Sequence, residues 1–296
     1  MSTRIFKSAE AREQLLEWSR QFEAKLESPV EHLEVEIAHG SNHVLALGDP
    51  ANTPLVCLHG ARTTSAHAAV ELEALADRFY LLLPDVPGHS VRGPEVVLPR
   101  EGAAWANWAT DIIDALDIGP FHLIGVSWGG FIALETASSE PGGLQSLTLI
   151  VPAGVVRGAI FRGLIDIVGP LAMYKLFPSE ARLRNFMEPM MTTWDDDWAH
   201  YIADAMQSYE QTLRPPPRVD SEKLASIDVP TLVFAGTDDL TVPGERLIDH
   251  LDTVMPHAKC ELLEGCKHIP PTTDAFRQWV AERLTSFIAK EKGTEF

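Results

Sequence analysis

The sequence predicts an α/β fold: a mostly parallel sheet covered by helices on both faces. Short apolar runs alternate with helix-length segments along most of the chain, the pattern of βαβ units. The 296 residues are 45% apolar, enough for one large α/β core or two ordinary domains. Gly125-Val126-Ser127-Trp128-Gly129 lies between an apolar run, Phe121 to Ile124, that reads as a strand and a helical stretch, Phe131 to Ala137.

The elements follow in order. Ser8 to Leu26 reads as an amphipathic helix, with Leu15, Trp18, Phe22 and Leu26 at helical spacing. His32 to Ala38 alternates as a half-buried edge strand does, and Asn42 to Leu47 pairs with it across His39-Gly40-Ser41. Then come strand Pro54 to Leu58, helix Ser65 to Asp77, strand Phe79 to Leu83 and helix Ala103 to Leu116. The strand and helix around Ser127 follow, then strand Leu147 to Val151. The pattern stops after Pro152. It resumes with strand Thr231 to Ala235, helix Glu245 to Val254, strand Lys259 to Leu263 and helix Asp274 to Ala289. Three parts are therefore expected: a core over residues 1–152, a helical cap over 153–225 and a second core part over 226–296. The cap ends in Arg214-Pro215-Pro216-Pro217-Arg218, a stiff connector. Helices inserted there would roof the crevice at the carboxyl ends of the strands.

Composition excludes some roles. A formal charge of −18 and a pI near 4.9 argue against nucleic acid or an anionic membrane as partner, since both need a basic face. The most apolar long stretch, Leu164 to Phe177, is too short and too interrupted to span a bilayer. The first residues are charged throughout, unlike a secretory signal. Cys57, Cys260 and Cys266 make no disulfide framework, and free thiols in a reduced, cytoplasmic setting are expected.

The tight turn at Ser127 needs glycines on either side and holds the serine strained, with its hydroxyl lifted from the sheet. A serine hydroxyl is a weak nucleophile until a histidine takes its proton and a carboxylate holds that histidine. Two carboxylates, Asp238 and Asp239, leave the end of strand Thr231 to Ala235. Eleven histidines are present, most of them on edge strands, turns or helix ends where they read as packing or solvated residues. His268 differs, lying in the loop after the last strand. His59-Gly60-Ala61-Arg62 follows another strand end.

Together these residues resemble the α/β-hydrolase fold superfamily from about Leu33 to Ala289: the elbow at Ser127, His59-Gly60, Asp239-x-x-x-Pro243 and His268, in that order. The resemblance implies an eight-stranded, mostly parallel sheet and a serine hydrolase with neither cofactor nor metal. It implies Ser127 as nucleophile, Asp239 as acid, His268 as base, and the N–H groups of Ala61 and Trp128 as the oxyanion hole. His59 would lock its loop. Asp85-Val86-Pro87-Gly88-His89-Ser90 resembles a loop-shaping turn of the family, with His89 at the border of the pocket as the alternative.

Ser127 argues against the haloalkane dehalogenases and epoxide hydrolases, which use aspartate. Val126 stands where the carbon–carbon bond hydrolases often carry Asn. Prolyl iminopeptidases share Ser-Trp-Gly, but their His-Gly-Gly-Pro-Gly is missing. The elbow also resembles that of intracellular polyhydroxyalkanoate depolymerases. A serine carboxylesterase acting on a small to medium, largely apolar ester is the expected function, with a small-molecule ester as partner, no nucleic acid or membrane, and a monomer or homodimer. The alternatives are a ligand receptor or signalling protein that keeps the triad with little turnover, or a hydrolase of a C–C bond, a lactone or an N-terminal peptide bond.

Five of the seven methionines fall in the insertion (Met173, Met187, Met190, Met191, Met206), with Phe161, Tyr174, Phe177, Phe186, Trp194, Trp198 and Tyr201. They read as helix packing or as an adaptable apolar wall for substrate, Met187, Met191 and Trp194 foremost. Arg62 is a candidate partner for a substrate carboxylate. Asp195-Asp196-Asp197 reads as a helix start.

Overall fold

The structure, a computed structural model, describes residues 4–158, 164–211 and 213–291. Among these, eight strands form one sheet: β1 (Val30–Ile37), β2 (Gly40–Leu47), β3 (Thr53–Leu58), β4 (Phe79–Pro84), β5 (Phe121–Val126), β6 (Leu144–Ile150), β7 (Thr231–Gly236) and β8 (Lys259–Leu263). The spatial order is β1-β2-β4-β3-β5-β6-β7-β8. β2 runs antiparallel to both its neighbours and every other pair is parallel. The α/β-hydrolase fold expected from the sequence is the fold found.

Residues alternate across the sheet as a strand's period of two requires. Leu55 and Cys57, Leu81 and Leu83, and Leu232 and Phe234 point into one buried cluster. Val56 and Leu58, Leu82, and Val233 and Ala235 point into the other. Both faces are thus dry, which is why these strands read as unbroken apolar runs. Helices α1 (Ala9–Glu23), α2 (Ser65–Leu72) and the last helix cover the first face, through Leu15, Phe22, Ala69 and Leu284. Helices α3 (Gly102–Leu116) and α4 (Trp128–Ala137) cover the second, through Trp108, Ile112, Phe131 and Ile132. All ten residues of α4 are buried, which accounts for its lack of a polar stripe.

Helix boundaries obey local chemistry. The Ser8 hydroxyl caps α1 by accepting from the Ala11 N–H at 3.1 Å. The helix expected to run from Ser65 to Asp77 ends early: Leu72 sits at φ −119°, ψ 0°, and the chain continues as a single 3₁₀ turn, Glu73–Leu75. Between β6 and β7 come a π-helical turn (Leu164–Val168), α5 (Gly169–Leu176), α6 (Glu180–Met187), α7 (Asp196–Ser208) and α8 (Ser221–Ala225). Asp195 caps α7 by accepting from the Trp198 N–H at 3.0 Å. α7 packs against α1, with Trp198 and Tyr201 meeting Phe22 edge-on at 5.3 and 6.0 Å. α9 (Gly244–Val254) and α10 (Asp274–Glu291) complete the chain. No helix among the described residues is long and apolar enough to cross a membrane.

Candidate active site

The turn from β5 into α4 is closed by atoms that leave no room for side chains. A Cβ on Gly125 would meet the Gly129 carbonyl oxygen at 2.5 Å, one on Gly129 would collide with the Leu58 carbonyl, and one on Gly130 would lie 2.8 Å from Pro152 Cα. Ser127 itself adopts φ 50°, ψ −110°, a region that L-residues avoid. The surroundings hold it there: its N–H donates to Ile150 O at 3.0 Å, and its carbonyl accepts from Gly130 N at 2.9 Å and Ala153 N at 2.9 Å. The strained residue is therefore over-determined by hydrogen bonds from β6 and the loop beyond it.

Its hydroxyl oxygen lies 2.9 Å from Nε2 of His268, carried by the loop after β8. Nδ1 of the same ring lies 2.8 Å from Oδ2 of Asp239, in the loop after β7. With Nδ1–H donating to the carboxylate, Nε2 is the free acceptor facing the serine. Oδ1 of Asp239 accepts from the Thr241 N–H at 2.7 Å, the Thr241 hydroxyl at 2.8 Å and the Val242 N–H at 2.9 Å. The carboxylate is buried, at 2% exposure, yet all its partners are donors. Burial pushes the Asp239 carboxyl up, but the His268 charge and these hydrogen bonds outweigh it and leave it below its usual value. Burial pushes the His268 imidazole down, and the Asp239 charge and hydrogen bond outweigh that in turn, so it titrates above its usual value. Asp238 is exposed; its side chain accepts from the Thr237 hydroxyl at 3.2 Å and its N–H donates to Cys266 O at 3.0 Å.

The loop after β3 closes over the serine from the other side, where a Cβ on Gly60 would lie 3.7 Å from Ser127 Cβ. Ala61 and Trp128 line the cavity beside Ser127. Trp128 is the first residue of α4, so its N–H has no partner within the helix. His59 is fully buried and fixes the loop: Nε2 accepts from the Val86 N–H at 2.9 Å and Nδ1–H donates to Gly60 O at 2.8 Å. Burial holds its imidazole below the usual value despite the nearby Asp85. Asp85 accepts from the Ser65 N–H at 2.9 Å and from the Ser65 and Ser90 hydroxyls at 2.8 and 2.5 Å, anchoring the start of α2. His89 does not line the cavity; its ring lies 4.5 Å from that of Trp128, inside a cluster with Trp105.

A cavity of about 430 Å³ opens above Ser127 and His268. Its cap-side wall differs from the expected one. Met190, Trp198, Ile202 and Met206 line it, and Met187, Met191 and Trp194 do not. Met187 and Met191 are packed in the apolar core at 0% and 2% exposure. The chain turns directly after α6, with Met190 and Met191 N–H both donating to Met187 O, and this brings Met190 to the cavity while Met191 stays in the core. Trp194 is drawn off by a hydrogen bond to Asp196 Oδ1 at 2.7 Å and by the Arg184 guanidinium over its ring at 4.1 Å. Met173 and Phe177 are exposed at 48% and 57%, and Phe161 lies outside the described residues. Arg62 lines the cavity, but its guanidinium donates to Gln211 O and lies 4.2 Å from the Tyr209 ring centre.

Two residues at the site were not singled out from the sequence. Thr241 touches both Asp239 and His268; the signal was its place two residues after Asp239, where a side-chain carboxylate accepts from the backbone. Thr192 ties the insertion to the His268 loop: its hydroxyl accepts from the Lys267 N–H at 2.9 Å and donates to Ile269 O at 2.8 Å. Among the described residues no group of three or more His, Cys, Asp or Glu is placed to hold a metal ion.

The chain matches the model of the "Alpha/beta hydrolase family" over residues 55–283. It is 30% identical over 240 residues to a candidate carbamate hydrolase of Agrobacterium fabrum, covering 76% of this chain and 89% of that one. It is 24% identical over 261 residues to a proline iminopeptidase of Lactobacillus delbrueckii subsp. lactis, covering 73% and 84%. Among solved structures it resembles the naproxen esterase (carboxylesterase NP) of Bacillus subtilis, with a TM-score of 0.80 at 19% identity, covering 95% and 99% of the two chains.

Proposed function

The chain belongs to the alpha/beta hydrolase family, and on that premise we propose that it hydrolyses carboxylic esters of small to medium, largely apolar substrates through an acyl-enzyme on Ser127. The observation that carries this is the unbroken line from Ser127 Oγ to His268 Nε2 at 2.9 Å and from His268 Nδ1 to Asp239 Oδ2 at 2.8 Å, on the floor of an apolar cavity.

Ser127 Oγ attacks the ester carbonyl carbon while its proton passes to His268 Nε2. Asp239 keeps Nδ1–H pointed at itself and stabilises the imidazolium. The carbonyl oxygen, now charged, is held by the N–H groups of Ala61 and Trp128; each such donor is worth about 100- to 1,000-fold in rate. The tetrahedral centre collapses, the C–O bond to the alcohol breaks, and His268 gives that oxygen its proton. Water then enters, loses a proton to His268 and attacks the acyl carbon. Collapse releases the acid and returns the proton to Ser127. Residues 153–225 act as a cap that walls the cavity on one side through Met190, Trp198, Ile202 and Met206.

The experiment is fluorophosphonate labelling with a panel of p-nitrophenyl esters, lactones, thioesters and amides. Labelling of Ser127, a burst of nitrophenol and the loss of both in Ser127→Ala are expected. Labelling with faster amide or lactone turnover would move the substrate class. No labelling and no turnover, with tight binding of a protein partner, would replace the enzyme by a receptor.

A further inference from the structure

Arginines gather around one segment of a chain whose net charge is −18. A connector that includes Gln211 and residues 213–216 borders the cavity, and Leu213, Arg214, Pro215 and Pro216 line it. Three arginines distant in sequence donate to its backbone carbonyls: Arg62 to Gln211, Arg100 to Pro215 at 2.5 Å and Arg157 to Pro216 at 2.8 Å. Arg214 is the fourth, exposed at the mouth. Among the described residues none of the four pairs with a carboxylate.

The chain has 42 acidic against 24 basic side chains, so carboxylate partners are plentiful. Some arginines hold a carboxylate, Arg20, Arg92 and Arg283 among them, and others, such as Arg182 and Arg246, bond to backbone carbonyls. Arg277 also lines the cavity, but Glu71 neutralises it through two bonds of 3.0 Å. A carbonyl accepts a hydrogen bond without cancelling charge, and a guanidinium has five donors. Two of the four, Arg62 and Arg214, line the apolar cavity without a carboxylate partner among the described residues, and a field there reaches further than in water.

We propose that the substrate carries an anionic group, a carboxylate or a phosphate, which seats against Arg214 on the connector side of the cavity while the ester lies over Ser127. This rests on the ester-hydrolase reading and narrows its substrate class.

The test compares charged and neutral esters of equal length. Mono-4-nitrophenyl esters of dicarboxylic acids, four to eight carbons long, are set against the matching fatty-acid esters. 3-Carboxyphenyl butyrate is set against 3-carbamoylphenyl butyrate, so that an anion on the alcohol side is also sampled. At least one charged ester is expected to exceed its neutral partner in kcat/KM by tenfold or more at low ionic strength. Added salt should shrink that advantage. Arg214→Gln should cut the charged-to-neutral ratio fivefold or more, and Arg283→Gln, remote from the cavity, should leave it. Competition by hexanoate and by hexyl phosphate tells which anion fits better. Neutral esters turned over while every charged one is slower overturns the anion proposal and leaves the hydrolase reading standing. A charged-ester advantage that survives Arg214→Gln overturns it as well. Turnover of no ester overturns the hydrolase reading; calorimetric titration with hexanoate and hexyl phosphate then still decides the arginine mouth, and no binding of either overturns it.

Discussion

The Thr241 hydroxyl stands 2.7 Å from His268 Nδ1 and 2.8 Å from Asp239 Oδ1, so one side chain touches both the imidazole and the carboxylate. With its proton on the carboxylate, its oxygen faces the same Nδ1–H that points to Asp239 Oδ2. It fixes the rotation of the imidazole about the axis to Ser127 and supplies one of the donors that keep Asp239 ionised. A hydrogen bond to a charged group is worth about 1.5–3 kcal/mol, and 1.36 kcal/mol is tenfold in rate. Thr241→Val is expected to lower kcat/KM about tenfold or more, with the protein still folded. Thr241→Ser should restore most of the loss. Equal activity in Thr241→Val and the parent protein would make the contact incidental.

Asp238 and Asp239 are adjacent but lie in different surroundings. Asp239 is buried against His268, and Asp238 is exposed and bonded to Thr237. Asp239→Asn is expected to cost on the order of 10⁴-fold in kcat, as in the serine-protease precedent, because the amide favours the wrong imidazole tautomer. Asp238→Asn should stay within about twofold of the parent, since surface changes away from a site are usually small. Side-by-side kinetics of the two variants decide the acid, and a larger loss at Asp238 would reverse the assignment.

What sequence could reveal divides along the range of the interactions. The turn at Ser127 was legible because its causes are local: Gly125 and Gly129 sit where a Cβ has no room, and both are written within two residues of the serine. The sheet was legible because central strands such as β3, β4 and β7 are buried and read as apolar runs, while the edge strand β1 alternates polar and apolar residues. Loop position after a strand narrowed the candidates to Asp238 or Asp239 and to His268, and the resemblance to the family pattern Asp239-x-x-x-Pro243 chose between the two carboxylates. The cavity wall was not legible in the same way. Met187, Met190 and Met191 have the same chemistry, and only the turn after α6 and its docking on the His268 loop choose Met190. The partner of Arg62 lies 149 residues away, at Gln211, and no spacing rule reaches that far.

The acid limb of the pH–rate profile follows from His268. Burial lowers its affinity for a proton, the Asp239 charge raises it, and the second effect wins. A general base must be neutral, so activity falls as pH drops through the raised value. The limb is expected on the alkaline side of the ordinary imidazole value, about 6.5. The pairing stabilises the fold fully below the unfolded imidazole value and loses its effect as pH rises through the folded one. Asp239 acts in the opposite sense: its lowered value contributes stability above about 3.9, lost as pH falls. Asp239→Asn should move the kinetic limb toward lower pH. A kcat/KM profile of both proteins measures the shift, and a limb at or below 6.5 in the parent would contradict it.

Ser127 holds a backbone conformation that costs stability. At φ 50°, ψ −110° a residue with a Cβ is strained, typically by 1–3 kcal/mol. Glycine reaches that conformation freely, while its extra freedom in the unfolded chain costs about 0.4–1 kcal/mol. The strain term is the larger. Ser127→Gly is therefore expected to be inactive and yet more stable than the parent, raising Tm by roughly 2–4 °C. Ser127→Ala keeps the Cβ and the strain, so it should be inactive with Tm close to the parent's. Calorimetry of the three proteins separates the effects: a stabilised glycine variant beside an unshifted alanine variant locates the strain in the backbone, whereas equal Tm values for both would place it elsewhere.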